Sequence, residues 1–167
     1  MKRSRLLHLA VPAVFLLTTS LASAGESVIG SWALVSAEVK RADGGPSSSP
    51  LGEGTVGLLI YDPSGQVSLQ IMRPGRPAFA SGDRLQGTET EVRSAFEGYL
   101  AYYGTFEVDA AKETISHRLA GSSFPNWIGT TQVRHYRLEK DQLTLTSHSG
   151  QAGGAPIVAT FVWQRVR

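Results

Sequence analysis

The chain has 167 residues, no cysteine, and 16 basic against 14 acidic side chains, which gives a formal net charge of +2. The absence of cysteine excludes disulfides, thiol nucleophiles and thiolate metal sites. The near balance of charge argues against nucleic-acid binding, which needs a concentrated positive surface.

The first 24 residues have the pattern of a secretory signal peptide. Three basic side chains precede a mostly apolar run at residues 6–21, and the small residues Ala22-Ser23-Ala24 follow it. The run is shorter than the ~20 residues that a membrane-spanning helix requires. We therefore expect cleavage after Ala24, a mature protein in the periplasm or outside the cell, and no membrane span in the mature chain.

Cleavage would leave residues 25–167, with 13 basic and 14 acidic side chains. These 143 residues suffice for one domain with a sizeable core.

Eight segments of this part have strand character and are separated by turn signals. Asp62-Pro63-Ser64-Gly65 lies between the second and third segments, and Glu139-Lys140-Asp141 lies between the sixth and seventh. Both turns are typical of hairpins. The predicted strands are residues 30–41, 55–61, 66–72, 102–108, 114–119, 130–138, 142–146 and 157–165.

One segment has the three- and four-residue apolar spacing of a helix. Thr88 and Glu91 form a capping box in which each side chain accepts a hydrogen bond from the other residue's backbone amide. We predict one amphipathic helix from residue 89 to about residue 101, with its apolar stripe packed in the core. The stripe consists of Val92, Ala95, Phe96, Tyr99, Leu100 and Tyr103.

The hairpin order of the strands favours closure into a barrel, because closure removes the exposed edges of an open sheet. The predicted fold is all-β: an eight-stranded antiparallel up-and-down barrel with one amphipathic helix between strands 3 and 4. A barrel of eight strands has room for its own side chains or for one small ligand.

Several motifs resemble the lipocalin-like domain family of calycin-type barrels. Gly30-Ser31-Trp32 is similar to the Gly-x-Trp signature of lipocalins, and Arg165 is placed like the arginine that packs on that tryptophan. The resemblance extends over the whole mature chain; it implies a lipocalin-like barrel and no shared reaction. The other motifs lie at residues 32–38, 70–74, 96–99, 104–108, 124–127 and 132–134.

Alternation along each strand assigns side chains to the inner or outer face. The second and third strands are ambiguous. In the third, either set of alternating side chains could line the lumen: Val67, Leu69 and Ile71, or Ser68, Gln70 and Met72. The other predicted inner-face residues are Trp32, Leu34, Ser36, Glu38, Tyr102, Gly104, Phe106, Val108, Ile115, His117, Leu119, Gln132, Arg134, Tyr136, Leu138, Leu143 and Leu145.

The predicted interior is apolar near one end and polar near the other. Burying an unpaired polar group costs about 1–3 kcal/mol, so polar inner faces indicate a cavity with a polar mouth. The predicted ligand-binding residues are Glu38, Gln70, Tyr102, Phe106, His117, Asn126, Trp127 and Arg134.

Each polar candidate has a structural alternative. Arg134 can orient a carboxylate, phenolate or carbonyl, or it can pair with Glu38 as a structural bridge. His117 can act as an acid or base or hold a ligand, or it can be a hydrogen-bonded core histidine. Trp127 and Asn126 can form a recognition rim, or they can belong to a rigid turn whose tryptophan plugs the barrel.

Three functions are compatible with this interior. The first is an exported protein that binds a small, partly apolar or amphipathic organic molecule in the lumen. The second is a cyclase or isomerase in which His117 and Glu38 move protons and Arg134 or Asn126 polarises a carbonyl. The third is a structural or interaction barrel without a ligand.

No nucleophile, phosphate-loop or metal-ligand spacing is present, so no metal or cofactor is predicted. The sequence leaves the oligomeric state open.

Overall fold

The computed structural model describes residues 27–41, 43, 45–148, 150–152 and 155–167. The predicted signal peptide at residues 1–24 lies outside the described residues.

Antiparallel pairing links the first seven strands in the order of the chain, then the seventh strand to the last one, and the sheet closes on itself. Nine residue pairs join the first strand to the last one, and this pairing closes the barrel. The strands are β1 Gly30–Arg41, β2 Val56–Tyr61, β3 Gln66–Met72, β4 Tyr99–Asp109, β5 Thr114–Ser122, β6 Thr131–Glu139, β7 Gln142–Ser147, β8 Gln151–Ala152 and β9 Ala155–Arg165.

The predicted eight-stranded up-and-down barrel is confirmed, with β8 as a two-residue addition that pairs only with the start of β9. The helix α1, Glu89–Glu97, lies between β3 and β4 as predicted, and a 3-10 turn at Pro125–Trp127 joins β5 to β6. Within the described residues, no helix has both the length and the apolar character needed to cross a membrane.

One end of the barrel is closed by Trp32 and Arg165, which are paired across β1 and β9. The Arg165 guanidinium lies 4.1 Å from the centroid of the Trp32 ring, and it donates hydrogen bonds to the carbonyls of Ile29 at 2.8 Å and Ser27 at 2.7 Å. The fully buried Trp32 indole donates to the Val28 carbonyl at 2.8 Å. These contacts hold the segment that precedes β1 across the base of the barrel, which we call the closed end.

A β-bulge at Val35 reverses the alternation of β1. Leu34 pairs with Trp163 and Ser36 pairs with Val162, so that Val35 is the extra residue, and its side chain is exposed. From the bulge onward, Val39 is on the buried face, whereas Ser36 and Glu38 are exposed. The predicted inward orientation of Ser36 and Glu38 was therefore wrong, because a bulge shifts every later residue to the opposite face.

The helix ends four residues earlier than predicted. Gly98 caps it by donating its backbone amide to Ser94, and Tyr99 then begins β4 by pairing with Met72. The aromatic residues at 99 and 103 fit the helical spacing by coincidence, since their backbone pairs with β3. The capping box at Thr88 and Glu91 is present as predicted.

The apolar stripe of α1 does not enter the core, contrary to the prediction. Val92 is 49% exposed and Phe96 is 55% exposed, and no residue of α1 is buried. Val108, which was predicted to face inward, is also exposed, near the closed end of β4. Helical spacing predicted that this segment is helical but not which element its stripe contacts.

We expect Arg165→Met to lower the free energy of unfolding by about 1–3 kcal/mol, because it removes a cation–π contact and two charged hydrogen bonds. Urea denaturation followed by far-UV circular dichroism measures the change. Arg137→Met is the matched control, because Arg137 pairs with Glu139 on the surface, where such pairs contribute less than about 1 kcal/mol. Equal unfolding midpoints for the two variants would contradict the stabilising role of Arg165.

Candidate functional site

A cavity of about 460 Å³ occupies the barrel between the closed end and the opposite end, which we call the mouth. This volume lies in the range of pockets that hold small organic ligands. Its wall is mostly apolar and aromatic, and residues of the connections at the mouth complete it. The lining residues are Val39, Pro50, Leu69, Ile71, Leu100, Tyr102, Phe124, Trp127, Gln132, Arg134, Leu145, Ser147, Gly150, Ile157, Ala159, Phe161 and Trp163.

Aromatic rings form a continuous row from the mouth into the core. Phe124 and Trp127 meet edge-to-face at 5.8 Å between centroids, and Trp127 meets Tyr102 at 6.3 Å. Behind Tyr102 the row continues through His117 to Tyr61. Such edge-to-face contacts favour a fixed ring geometry, so one side of the cavity is a preformed aromatic wall.

Arg134 is the charged side chain of this wall. It is 7% exposed, and its guanidinium carbon lies 5.6 Å from the centroid of the Tyr102 ring. Within the described residues it donates one hydrogen bond, a long one of 3.4 Å, to the Gln132 carbonyl. Among the residues that the structure describes, no carboxylate lies within ion-pair distance of it. A buried cation without a counter-charge is costly, so an acceptor or anion in the cavity would stabilise it.

His117 lies behind the cavity wall, between two tyrosines. The Tyr61 hydroxyl is 2.8 Å from its Nε2 atom, and the Tyr102 hydroxyl is 2.9 Å from its Nδ1 atom. Burial lowers the pKa of His117 well below the ordinary value, and the positive charge of Arg134 lowers this pKa further. Burial raises the pKa of both tyrosines. All three groups are therefore neutral near pH 7.

Trp163 supplies a further polar atom. It is fully buried, lines the cavity, and lies two residues before Arg165 at the closed end. Its indole N–H has no hydrogen-bond partner among the described residues. Buried donors of this kind are rare in native proteins, and this one is enclosed by packed side chains rather than accessible from the cavity.

Three of the predicted site residues, Tyr102, Trp127 and Arg134, line the cavity together. His117 does not reach the cavity but is bonded to Tyr102. Phe106 is also behind the wall, with its ring centroid 4.6 Å from that of Tyr61.

The other three predicted residues lie away from the cavity. Glu38 is exposed beyond the bulge, where it accepts a hydrogen bond from Ser47 and pairs with Lys40 rather than with Arg134. Gln70 faces a shallow groove on the outer wall, because the other face of β3 is the buried one. Asn126 is exposed in the turn that carries Trp127.

Sequence reasoning missed the contribution of β9. Alternating residues of this strand, Ile157, Ala159, Phe161 and Trp163, line the cavity. The signal was present, because these residues alternate with Val158, Thr160, Val162 and Gln164. Both sets are partly apolar, so alternation alone does not decide which set faces inward.

The neutral state of His117 predicts a pH-dependent stability. Below the ordinary histidine pKa of about 6.5, the unfolded chain binds a proton that the folded protein does not. The free energy of unfolding of the wild type, relative to His117→Gln, should therefore fall as the pH falls from 7 to 5, by up to about 1.4 kcal/mol per pH unit.

Urea denaturation at a series of pH values measures this difference. His135→Gln is the control, because His135 is an exposed histidine on β6, so the comparison separates removal of a buried histidine from removal of any histidine. A constant difference between wild type and His117→Gln over this range would contradict a neutral, buried His117.

Comparisons with known proteins agree with this architecture. The lipocalin-like domain family matches residues 29–166. The 4'-hydroxy-3'-methoxypropiophenone carrier protein ppsC of Aspergillus oryzae is 36% identical over 107 residues, which cover 60% of this chain and 96% of that protein. No solved structure matches the chain significantly. Because the family match spans the whole barrel from β1 to β9, the chain belongs to the lipocalin-like domain family.

Proposed function

We propose that this protein is an exported carrier that holds one small, mostly apolar organic molecule in the lumen of its barrel. The molecule enters at the mouth, between Phe124 and Trp127 on one side and the connection that carries Pro50 on the other. The apolar wall supplies binding free energy, and the few polar atoms orient the ligand.

The observation that carries this proposal is the combination of an apolar cavity of about 460 Å³ with a buried cation that has no counter-charge in the described residues. A purely structural barrel would fill such a space with side chains, since protein interiors are close-packed. It would also pair or omit the buried charge.

The relative from Aspergillus oryzae supports the same class of function, because it is named as a carrier of an aromatic ketone with a phenol group. Such a molecule combines a flat apolar ring with three oxygens that can accept hydrogen bonds, those of the ketone, the methoxy group and the phenol. These features suit the aromatic wall and the donors of Arg134, so 4'-hydroxy-3'-methoxypropiophenone is the first probe for this chain.

We expect the probe to quench tryptophan fluorescence saturably, because Trp127 and Trp163 line the cavity. Ala159→Phe should weaken this binding at least tenfold, because Ala159 lines the cavity and the added ring occupies it. Thr160→Phe is the matched control, because the next residue of β9 points to the other face and should leave the affinity unchanged.

Thermal unfolding of both variants checks that the barrel remains folded, since overpacking costs about 1–3 kcal/mol. Equal affinities for Ala159→Phe, Thr160→Phe and the wild type would show that the probe binds outside the lumen. That result would contradict the proposal.

Export is supported by the basic start, the apolar run and Ala22-Ser23-Ala24 in the sequence. Expression of the full chain in a Gram-negative host should yield periplasmic protein whose first residue is Gly25. Ala24→Arg should leave the full-length precursor uncleaved, because the peptidase requires a small residue there. Cytoplasmic protein that retains Met1 would contradict export.

A further inference from the structure

We propose that the lumen binds its ligand as an oxyanion of an aromatic or conjugated hydroxyl group, held by the Arg134 guanidinium and by a hydrogen bond donated from the Tyr102 hydroxyl. This inference rests on the proposed carrier function and names the chemical class of the ligand. It depends on a count of protons in the buried trio Tyr61, His117 and Tyr102.

The trio contains three exchangeable protons but only two internal hydrogen bonds. Each neutral tyrosine has one hydroxyl proton, and neutral His117 has one N–H and one acceptor nitrogen. Two protons suffice for the contacts on Nε2 and Nδ1. The third proton must therefore point out of the trio, from one of the two tyrosines.

The surroundings of the two hydroxyls decide which tyrosine donates outward. Tyr61 is fully buried, does not line the cavity, and has no other hydrogen-bond partner among the described residues. Tyr102 lines the cavity. Tyr61 therefore donates to Nε2, the proton of His117 is on Nδ1 and is donated to the Tyr102 oxygen, and the Tyr102 proton points toward the lumen.

The alternative arrangement would leave the Tyr61 proton without an acceptor in the apolar core, which costs free energy. The arrangement we assign avoids this cost, because a ligand or water in the lumen can accept from Tyr102. His117 thus acts as a positioning residue: it accepts the bond of Tyr61 and makes Tyr102 a donor toward the cavity.

Arg134 is a donor that cannot accept, because it offers only N–H groups and carries a positive charge. Together with the Tyr102 hydroxyl, it favours ligands with acceptor oxygens over ligands with donors. The charge of Arg134 additionally favours a ligand oxygen that is itself negative.

The apolar surroundings favour a delocalised oxyanion. A carboxylate concentrates its charge on two strongly hydrated oxygens, whereas a phenolate or enolate spreads its charge into a π-system that can contact Trp127 and Phe124. On binding, the hydroxyl proton of the ligand passes to solvent, and the positive charge of Arg134 balances the charge that remains.

The test uses the mature protein with two probes, 4'-hydroxyacetophenone and its methyl ether 4'-methoxyacetophenone. Absorption spectra distinguish the phenol from the phenolate. We expect the apparent pKa of the bound phenol to be at least one unit below its value in water, which corresponds to at least a tenfold preference for the anion. Benzoate should bind less tightly than the phenolic probe.

Arg134→Met should abolish this spectral shift, and Tyr102→Phe should reduce it. Arg118→Met and Tyr103→Phe are the matched controls, because both side chains are exposed on the outside of the same sheet and should leave the shift unchanged. If Arg134→Met does not fold, the spectrum of the wild-type complex alone still decides whether the ligand is ionised.

The outcomes separate the two proposals. Saturable binding of both probes, with the phenol remaining neutral up to its ordinary pKa, overturns the oxyanion inference and leaves the carrier function in place. Tighter binding of benzoate than of the phenolic probe overturns the preference for a delocalised anion. Failure of every probe to bind contradicts the carrier function as well.

The proton assignment has its own readout. Nitrogen NMR of histidine-labelled protein, with the signal of His117 identified by its loss in His117→Gln, should show the neutral Nδ1–H tautomer at pH 7. The neutral Nε2–H tautomer would place the outward proton on Tyr61 and overturn the role assigned to Tyr102.

Discussion

The pairing of β1 with β9 is the constraint on which the cavity depends. Without this pairing the sheet would stay open, and the side chains on its inner face would be exposed to water. The same pairing brings Arg165 over Trp32, so closure of the sheet and closure of one barrel end depend on the same two strands. The opposite end is left to the long connections between strands, and residues of these connections complete the cavity wall there.

Alternation predicted the fold and most of the inner faces wherever the strands are regular. His117 and Arg134 lie on uninterrupted stretches of β5 and β6, and both are buried as predicted. Glu38 lies beyond the bulge at Val35. The position of this bulge depends on how the residues of β1 pair with the residues of β9. A pattern within one strand contains no information on that pairing, so the orientation of Glu38 could not be predicted in this way.

Several residues of the candidate site could be predicted from the sequence, but their depth behind the cavity wall could not. Tyr102, Trp127 and Arg134 line the cavity together. The order of the strands predicts that β4, β6 and the turn between β5 and β6 lie close to one another. The position of His117 one layer behind Tyr102 depends on how far two tyrosine rings reach across the barrel from β2 and β4. Distances across a lumen follow from the tilt and shear of the strands, and neither can be read from a sequence.

The described chain starts and finishes on the same side of the barrel. Ser27 is hydrogen-bonded to Arg165, which is two residues from the last residue of the chain. A linker attached after Arg167 would leave the barrel on the side away from the mouth. The protein can therefore be anchored to a surface, or joined to another protein, through this end without obstructing the entry of a ligand.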